Sequence, residues 1–432
     1  MHELLFYSIP VAAIVVITAI YLCLKKRSCR SSAAVWSEVQ ESGLTEPASL
    51  HPVVDPNVCM GSGACVRSCP EQALGVINGK GVLINPSHCI GHGACAPACP
   101  VGAIKLVFGT ARRGMDIPAV NPNFETNVRG IFIAGELGGM GLIRKAVEQG
   151  KKAMAQIAKR PKGRADYDVV IVGAGPAGIA ATLAAKEAGL RYLTVEQEYT
   201  LGGTALHYPR RKIVMTAPMD LPLIGKVSVR EISKEALIEL WNDVVARTDI
   251  EIRFGERLDK LERRNKGVLV VTSKGSYEAG SVVLAIGRRG TPRRLEVPGE
   301  EHSKVVYRLI EPEQYRGNHA LVVGGGDSAL EAAMALAEEP GTRVVLSYRG
   351  DAFGRVKPKN RQKLQAAEQA GKLTVMLQSQ VKKIDPDNVL LVDGDGREID
   401  LPNEVVVVCA GGILPTPFLK EAGIKVETRY GT

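Results

Sequence analysis

The sequence predicts an α/β protein with two domains built on glycine-rich βαβ units, a small cysteine-rich α+β domain and an N-terminal transmembrane helix. Two segments, at residues 168–196 and 321–350, place a glycine cluster between an apolar strand and an Ala-rich helix. Six of the nine cysteines fall in two similar blocks between residues 59 and 99. Residues 4–24 are almost wholly apolar. A chain of 432 residues has room for about two to four such domains.

The first βαβ unit begins with a short apolar strand at residues 169–172, and a helix and a second strand ending at Glu196 follow it. The G-x-G-x-x-G positions and the residues between them are Gly173, Gly175, Pro176, Ala177 and Gly178. Glycines let the backbone approach a pyrophosphate, the helix N-terminus favours its charge, and an acid about 20 residues later reaches a ribose hydroxyl. Because all three parts are in place, the unit predicts a dinucleotide site rather than an ordinary Gly-rich turn.

The second βαβ unit carries an arginine where the first carries its acid. Its glycine positions and the residues between them are Gly324, Gly326, Asp327, Ser328 and Ala329. Arg349 follows the next strand, and Arg355, Lys357 and Lys359 come soon after it. An arginine at this place suits the 2′-phosphate of NADP, whereas an acid suits NAD. We therefore expect Arg349 and Arg355 to bind NADPH, with NADH and a merely solvated basic loop as the alternatives.

The two cysteine blocks form an internal repeat. Their residues are Cys59, Ser62, Cys65 and Cys69 in the first copy, and Cys89, His92, Cys95 and Cys99 in the second. Both copies end in Cys-Pro, as does the bacterial ferredoxin run C-x2-C-x2-C-x3-C-P, whose fourth cysteine ligates the other cluster. Residues 54–108 resemble a two-cluster bacterial ferredoxin over their whole length. The resemblance implies one cluster on Cys59, Cys65 and Cys99, and another on Cys89, Cys95 and Cys69.

The repeat departs from the ferredoxin run at the second cysteine, which is Ser62 in one copy and His92 in the other. Three thiolates can hold a [3Fe–4S] cluster, or a [4Fe–4S] cluster whose fourth iron takes His92, Ser62, water or a partner's ligand. His92 is alternatively a solvated loop histidine. A zinc site fits this spacing poorly, because structural zinc sites use shorter ligand pairs.

Residues 109–165 resemble the C-terminal flavin segment of thioredoxin-reductase-like flavoproteins, a family of FAD and nicotinamide enzymes with two Rossmann-like domains. The segment FETNVRGIFIAGELGG contains a strand followed by Gly135-Glu136, in place of the family's Gly-Asp. The resemblance implies that FAD also contacts Arg144, Lys145, Ala146, Gly202, Gly203, Thr204 and Gly287. This segment closes the chain in the family but here precedes the first βαβ unit, so we expect a circular permutation.

The expected organisation is as follows: transmembrane anchor 1–26, linker 27–53 (a tether or a marginal helix), dicluster ferredoxin-like domain 54–108, permuted part of the FAD domain 109–165, FAD domain 166–292, NAD(P) domain 293–411 and returning FAD segment 412–432. The family's redox-active C-x-x-C is missing before Gly324, and Cys409 stands alone within an apolar strand. Thiol exchange is therefore not expected, and no catalytic side chain is predicted.

The net charge is +9, and Lys25, Lys26, Arg27 and Arg30 directly follow the apolar N-terminal run. Since a signal peptide carries its cations before the apolar core, an uncleaved single-pass anchor in the cell inner membrane is favoured, with the remainder in the cytoplasm. No nucleic-acid motif is present. The sequence thus predicts a membrane-anchored NAD(P)H-dependent flavin and iron–sulfur oxidoreductase that exchanges electrons with a carrier protein or enzyme. A quinone-linked dehydrogenase module and a redox-sensing or assembly subunit are the alternatives, and a homodimer is compatible with each.

Overall fold

The computed structural model describes residues 2–41, 45–47, 50–89, 91, 93–111, 114–139, 141–161, 163–207, 213–265, 267–288, 290–353, 356 and 358–431. The chain forms two compact units, one of residues 1–114 with 430–432 and one of residues 115–429.

The first unit consists of a long helix and a small cysteine-rich fold. Its elements are α1 (His2–Glu41), β1 (His51–Val54), α2 (Ala64–Arg67), β2 (Leu74–Ile77), β3 (Lys80–Leu83), a 3-10 turn (Pro86–His88), α3 (Cys95–Ala98) and β4 (Ile104–Val107). β1 pairs antiparallel with β4, and β2 with β3. Asn78 and Gly79 connect β2 to β3 with φ of 49° and 74°, the left-handed conformation that a two-residue hairpin turn requires.

The prediction of a transmembrane helix at residues 1–26 is wrong. Among the described residues, no helix has both the length and the apolar character needed to cross a membrane. Helix α1 has 40 residues. The inner-membrane location expected from the same segment stays a prediction.

Residues 27–41, expected to be a linker, continue α1 as its second half. Ser32 and Val39 of this half are buried, and Ser32 packs on the β2–β3 hairpin. A Cβ at Gly75 of β2 would lie 2.7 Å from the Ser32 hydroxyl oxygen. The close approach of helix and strand therefore depends on glycine at position 75.

The first part of the second unit contains the elements β5 (Met115–Pro118), β6 (Ile131–Ile133), α4 (Ile143–Ile157), β7 (Tyr167–Val172), α5 (Pro176–Glu187), β8 (Tyr192–Glu196), β9 (Ile213–Met215), β10 (Met219–Leu221), β11 (Gly225–Val227), β12 (Glu231–Ser233), α6 (Lys234–Thr248), β13 (Arg253–Phe254), β14 (Leu258–Arg264), β15 (Gly267–Thr272) and β16 (Gly275–Leu284). Seven of these strands form one sheet. Six of them follow the order β13-β8-β7-β16-β15-β14, and β6 pairs with the C-terminal end of β16. Strands β6, β16 and β7 run parallel, in the register Ile131–Val282–Val170.

The remaining elements of the second unit are β17 (Thr291–Pro292), β18 (Val305–Val306), β19 (His319–Val323), α7 (Asp327–Ala337), β20 (Arg343–Tyr348), α8 (Pro358–Gln369), β21 (Leu373–Leu377), β22 (Gln380–Ile384), β23 (Asn388–Val392), β24 (Glu398–Pro402), β25 (Val405–Val408), β26 (Gly412–Ile413), α9 (Thr416–Glu421) and β27 (Val426–Arg429). Five of these strands form a second sheet, which is parallel and has the order β18-β25-β19-β20-β21. Strands β22, β23 and β24 form an antiparallel meander. The meander β14–β16 thus belongs to the first sheet, whereas β22–β24 form a separate three-stranded sheet.

Strands that are distant in the chain pair with one another in the second unit. Strand β6, from residues 131–133, completes the sheet that the later β7 and β16 build. The last strand, β27, pairs antiparallel with β5, which lies more than 300 residues earlier, in the register Val426–Pro118. Within the first unit, a Cβ at Gly431 would lie 2.0 Å from the Gly109 carbonyl oxygen. The end of the chain thus adjoins the residue at which the permuted segment begins.

Candidate functional site

A cavity of about 520 Å³ lies in the second unit, at the carboxyl ends of β6, β7 and β16. Its walls include Gly135, Glu136, Ile143, Ala146, Gly173, Gly175, Pro176, Ala177, Glu196, Gly202, Gly203, Thr204, Gly287, Arg308 and Phe418. The volume is typical of a cofactor pocket. Segments that are distant in the sequence therefore meet at one site.

The glycine loop after β7 is closely packed against the end of β16. Gly173 has a φ of 107°, and a Cβ there would lie 2.5 Å from the Ala285 carbonyl oxygen. A Cβ at Gly178 would lie 1.7 Å from the Gly173 carbonyl oxygen. Only glycine fits at either position. The loop leaves the N-terminus of α5, which Pro176 begins, directed at the cavity, where backbone N–H groups and the helix dipole favour a pyrophosphate.

Glu196 lies at the end of β8 and is buried. Its carboxylate accepts hydrogen bonds from the backbone N–H of Ala174 at 2.6 Å and of Glu198 at 2.9 Å. Burial raises the pKa of this carboxyl, against the lowering effect of the two N–H groups. The side chain therefore fixes the glycine loop to β8 while it also lines the cavity, at the place where the sequence predicts a ribose contact.

The structure brings Glu136 and Thr204 together, although 68 residues separate them. Gly135, with a φ of 87°, turns the chain after β6 so that Glu136 faces the cavity. The Thr204 hydroxyl donates to Glu136 Oε2 at 3.4 Å, and Gly287 lies beside the same hydroxyl. Burial raises the pKa of Glu136, while Thr204 and Arg288 lower it. This cluster presents a carboxyl and a hydroxyl to the ligand.

Helix α4 directs its N-terminus at the cavity, but it begins at Ile143, one residue before the predicted start. Ile143 and Ala146 line the cavity. Arg144 instead pairs with Glu148 at 2.8 Å on the exposed side of the helix, and Lys145 is not among the described residues that line the cavity. Of the three residues predicted here, Ala146 is the one that faces the site.

Sequence reasoning missed Gln149, whose side chain forms a hydrogen bond with the Gly135–Glu136 turn. Its side-chain oxygen accepts the backbone N–H of Gly135 at 2.7 Å, and only 9% of the residue is exposed. The signal was present in the sequence, because Gln149 is a polar residue on the apolar face of an amphipathic helix, between Ala146 and Ala153.

The cavity rim also contains charged groups that the sequence did not single out. Glu256 is almost fully buried and accepts hydrogen bonds from the Thr272 hydroxyl at 2.6 Å and the Tyr277 hydroxyl at 2.9 Å. Arg308 pairs with Glu198 at 3.1 Å. These contacts tie the strands around the site to one another.

The second glycine loop lies between β19 and α7. A Cβ at Gly324 would lie 2.4 Å from the Cys409 carbonyl oxygen, whereas a Cβ at Gly326 would meet nothing within 4 Å. The loop is therefore closed on the β25 side and open at the N-terminus of α7, where a pyrophosphate would bind. Asp327 accepts a hydrogen bond from Asn360 at 2.8 Å. Ser328 follows it in the first turn of α7, and Ala329 is fully buried.

The side chain of Tyr348 covers the middle of this loop. A Cβ at Gly325 would lie 2.1 Å from the tyrosine ring, and one at Gly350 would lie 2.6 Å from it. The ring stacks on Phe353, with centroids 5.5 Å apart. Arg349 is exposed at the end of β20, and Arg355 lies outside the described residues. An aromatic surface thus lies beside the arginine predicted to bind the nucleotide.

The six cysteines of the repeat surround two cavities in the first unit. Cys59, Cys65 and Cys99 line one cavity together with the exposed Ser62, and Cys69, Cys89 and Cys95 line the other. Each set takes cysteines from both copies, which is the crossed arrangement that the ferredoxin resemblance implies. His92 lies outside the described residues, so its position relative to the second cavity is not part of the structure.

The sulfur environments suit clusters. Backbone N–H groups point at two sulfurs, from Gly81 to Cys59 Sγ and from Ala103 to Cys99 Sγ, both at 3.3 Å. Burial above all, together with the neighbouring Cys89 and Cys69, raises the pKa of Cys95 to about 11. Thiolates packed this closely need a positive partner. In the part of the chain that the structure describes, no three donor side chains converge to hold a single metal ion. Thiols arranged around a cavity are the donor set of a polynuclear cluster.

Comparison with known proteins places the chain. The family model "Pyridine nucleotide-disulphide oxidoreductase" matches residues 170–431. The chain belongs to that family. The "4Fe-4S dicluster domain" model matches residues 51–100. The predicted resemblance to flavoproteins and dicluster ferredoxins is therefore confirmed, and the protein is a flavin oxidoreductase with an iron–sulfur domain, whose cofactors are FAD and iron–sulfur clusters.

Curated relatives are 26% to 32% identical to this chain over the residues that align. A ferredoxin–NADP reductase of Thermus thermophilus is 32% identical over 60% of this chain and 77% of its own length. The bacilliredoxin reductase Bdr of Bacillus subtilis is 26% identical over 61% of this chain and 82% of its own length. A ferredoxin–NADP reductase of Ignicoccus hospitalis is 30% identical over 43% of this chain, which spans only 57% of that relative.

Solved structures of the bacillithiol disulfide reductase Bdr (YpdA) have the same fold. The enzyme from Bacillus cereus is 25% identical, with a TM-score of 0.50 over 60% of this chain and 82% of its own. The enzyme from Staphylococcus aureus is 23% identical, with a TM-score of 0.50 over 61% of this chain and 84% of its own.

Proposed function

We propose that the chain is an NAD(P)H-dependent oxidoreductase that passes electrons through its dicluster domain to an electron-carrier protein. The observation that carries the proposal is the combination of sites in one chain. It contains a cavity built for a dinucleotide, a second glycine loop, and two cavities each lined by three thiols. Ferredoxin–NADP reductases among its relatives, from Thermus thermophilus and Ignicoccus hospitalis, support exchange between a nicotinamide nucleotide and an iron–sulfur carrier.

In the large cavity the predicted residues that line it have definable tasks toward FAD. The loop at Gly173–Gly178 and the N-terminus of α5 would hold the pyrophosphate, and Glu196 would face the ribose. Glu136, Thr204 and the N-terminus of α4 would contact the rest of the cofactor. When bound, FAD accepts a hydride and releases electrons singly, and the clusters carry one electron each.

The residues argue against a dithiol route for these electrons. No cysteine occurs between Cys99 and Cys409. Cys409 itself lies just beyond β25, half-buried, with its sulfur 3.8 Å from the Ser328 carbonyl oxygen. A single thiol cannot exchange with an intramolecular partner, so the dicluster domain is the exit that the chain supplies.

NADPH is the proposed hydride donor, because Arg349 is exposed at the end of β20, next to the open glycine loop. A guanidinium at this position can form paired hydrogen bonds with a 2′-phosphate, which NADH lacks. The ratio of the two dissociation constants, measured by nucleotide fluorescence, tests the assignment.

Anaerobic purification with counts of FAD, iron and sulfide tests the proposed route as a whole. Electron paramagnetic resonance would show whether the three-thiolate sets hold [3Fe–4S] or [4Fe–4S] clusters. Cys99→Ser should disrupt the first cluster while NADPH still bleaches the flavin absorbance, and reduction of a protein acceptor should fall at least tenfold. Cys23→Ser, on the exposed surface of α1, is the matched control. An unchanged rate of protein reduction in Cys99→Ser would refute the route.

A further inference from the structure

The two cluster cavities differ in the exposed side chains at their borders. Among the described residues, the exposed ones that line the cavity of Cys69, Cys89 and Cys95 are Pro70 and Ala94, and neither is a large apolar side chain. The cavity of Cys59, Cys65 and Cys99 is bordered by Met60 and Val101, which are 66% and 39% exposed. The second of these cavities therefore has the apolar border that contact with an external protein requires.

Exposed apolar side chains lie next to the cysteines of that cavity in the chain. Val58 and Met60 flank Cys59, and Val101 lies two residues after Cys99. Val58 is 46% exposed. Three large apolar side chains beside the ligands of one cluster form a small patch of the type that marks protein contacts. Its small size suits the short-lived contacts of electron carriers.

Two cations are fixed at the edge of the patch. The Lys80 ammonium donates to the Cys59 carbonyl oxygen at 2.8 Å, and the Arg67 guanidinium donates to the Ser62 carbonyl oxygen at 3.4 Å. Both side chains are exposed. Asp55 is the acid on this side, and its carboxylate accepts the Asn57 N–H at 2.8 Å. The basic groups therefore outnumber the acidic one around the cavity of Cys59, Cys65 and Cys99.

We propose that this surface, the docking face of Val58, Met60, Val101, Arg67 and Lys80, binds a redox carrier protein with an acidic rim around its cofactor. The inference rests on the proposed function and specifies its partner. One electron passes from the cluster held by Cys59, Cys65 and Cys99 to each carrier. Oxidation of one NAD(P)H thus reduces two one-electron carriers and releases one proton. Opposite charges steer the two proteins together and fix their register.

The test uses the full chain, purified anaerobically, with an acidic plant-type [2Fe–2S] ferredoxin as the probe and the basic cytochrome c as its counterpart. Binding is measured by calorimetry with both proteins oxidised, and reduction is followed at several salt concentrations. Arg67→Glu/Lys80→Glu should raise the ferredoxin dissociation constant at least tenfold at low salt. Lys80→Gln should give an intermediate loss, and Met60→Ser a loss of about threefold that salt does not change.

Lys105→Glu is the control, since it reverses the charge of one cation in the same domain, as each of the two substitutions in the double variant does. Lys105 is exposed on β4, on the strand face opposite to Ile104, which lines the cluster cavity. Iron counts and NADPH-dependent ferricyanide reduction should match wild type in every variant. Three results would each overturn the docking face. They are equal losses of ferredoxin affinity in Lys105→Glu and in the double variant, tighter binding of cytochrome c than of ferredoxin by the wild-type chain, and ferredoxin binding that the double reversal leaves unchanged. Absence of NADPH oxidation in wild type would instead overturn the proposed function.

Discussion

Removing the Gln149 side-chain amide should weaken FAD binding without any direct contact to FAD. Gln149 accepts the Gly135 N–H at 2.7 Å in a buried setting. An unsatisfied buried N–H costs about 1–3 kcal/mol. In Gln149→Met, which keeps the side-chain volume, the turn can relieve that cost only by moving, and Glu136 moves with it. The loss should therefore divide between the unfolding free energy of the apoprotein and the FAD dissociation constant, which should rise about five- to a hundredfold.

Two measurements check this reasoning. Urea unfolding of the apoprotein gives the stability change, and quenching of FAD fluorescence gives the dissociation constant. Glu148→Ala is the control on the same helix, because its ion pair with Arg144 is about half exposed and should contribute under 1 kcal/mol. If Gln149→Met equals Glu148→Ala in both assays, the hydrogen bond does not position the Gly135–Glu136 turn.

Three further predictions concern the nucleotide sites and their charge. Gly178→Ala should abolish FAD binding, because its Cβ would lie 1.7 Å from the Gly173 carbonyl oxygen; bound FAD in the purified variant would refute this. Tyr348→Ala should raise the dissociation constants of NADPH and NADH equally, about tenfold for a lost aromatic stack, whereas Arg349→Ala should affect only NADPH; equilibrium titrations separate the two. Because burial raises the pKa of Glu136, its protonated form favours folding, and that stability is lost as the pH rises above about 4.5. In the apoprotein of Glu136→Gln, the unfolding free energy should therefore decline less over this pH range than in wild type.

The glycine loops could be predicted from the sequence because every determinant is local. Strand, glycines and helix follow one another within about 20 residues, and the packing at Gly173 and Gly178 depends on the turn that this order produces. The cysteine sets could be predicted only by reference to the ferredoxin run, since nothing local shows that Cys99 joins Cys59. The structure places Cys59 and Cys99 at the same cavity.

The partners of individual side chains could not be predicted from periodicity. Nothing in the pattern near Gly325 or Gly350 shows that both must accommodate the ring of Tyr348. The sequence marks Gln149 as a polar residue on the apolar face of α4, but it does not show the partner of this side chain. The side of the helix that packs against the Gly135 turn becomes known only when α4 is placed.

The end of the N-terminal helix was left open for a different reason. The prediction ended the apolar segment at the basic residues that begin with Lys25 and took the following residues as a tether or a marginal helix, but cations do not terminate a helix. No glycine or proline occurs between Pro10 and Gly43, and α1 accordingly continues to Glu41. Its second half has Ser32 and Val39 to bury against the cysteine-rich fold. The absence of a terminating residue was the better guide to the helix boundary.

The strand pairing explains how the permuted order is tolerated. β27 and β5 hold each other through antiparallel ladder hydrogen bonds, so the covalent connection between them is dispensable to the sheet. Cutting such a connection costs mainly loop-closure entropy, which changes slowly with loop length. The free start of β5 is then available for another domain, and only residues 108–114 separate it from β4. A tether this short keeps the cluster domain at a high effective concentration relative to the flavin domain. Under the proposed function, electron transfer between the two domains would therefore need no encounter of separate proteins, whereas delivery from the proposed docking face would. Added salt should for that reason slow ferredoxin reduction and leave the internal step unchanged.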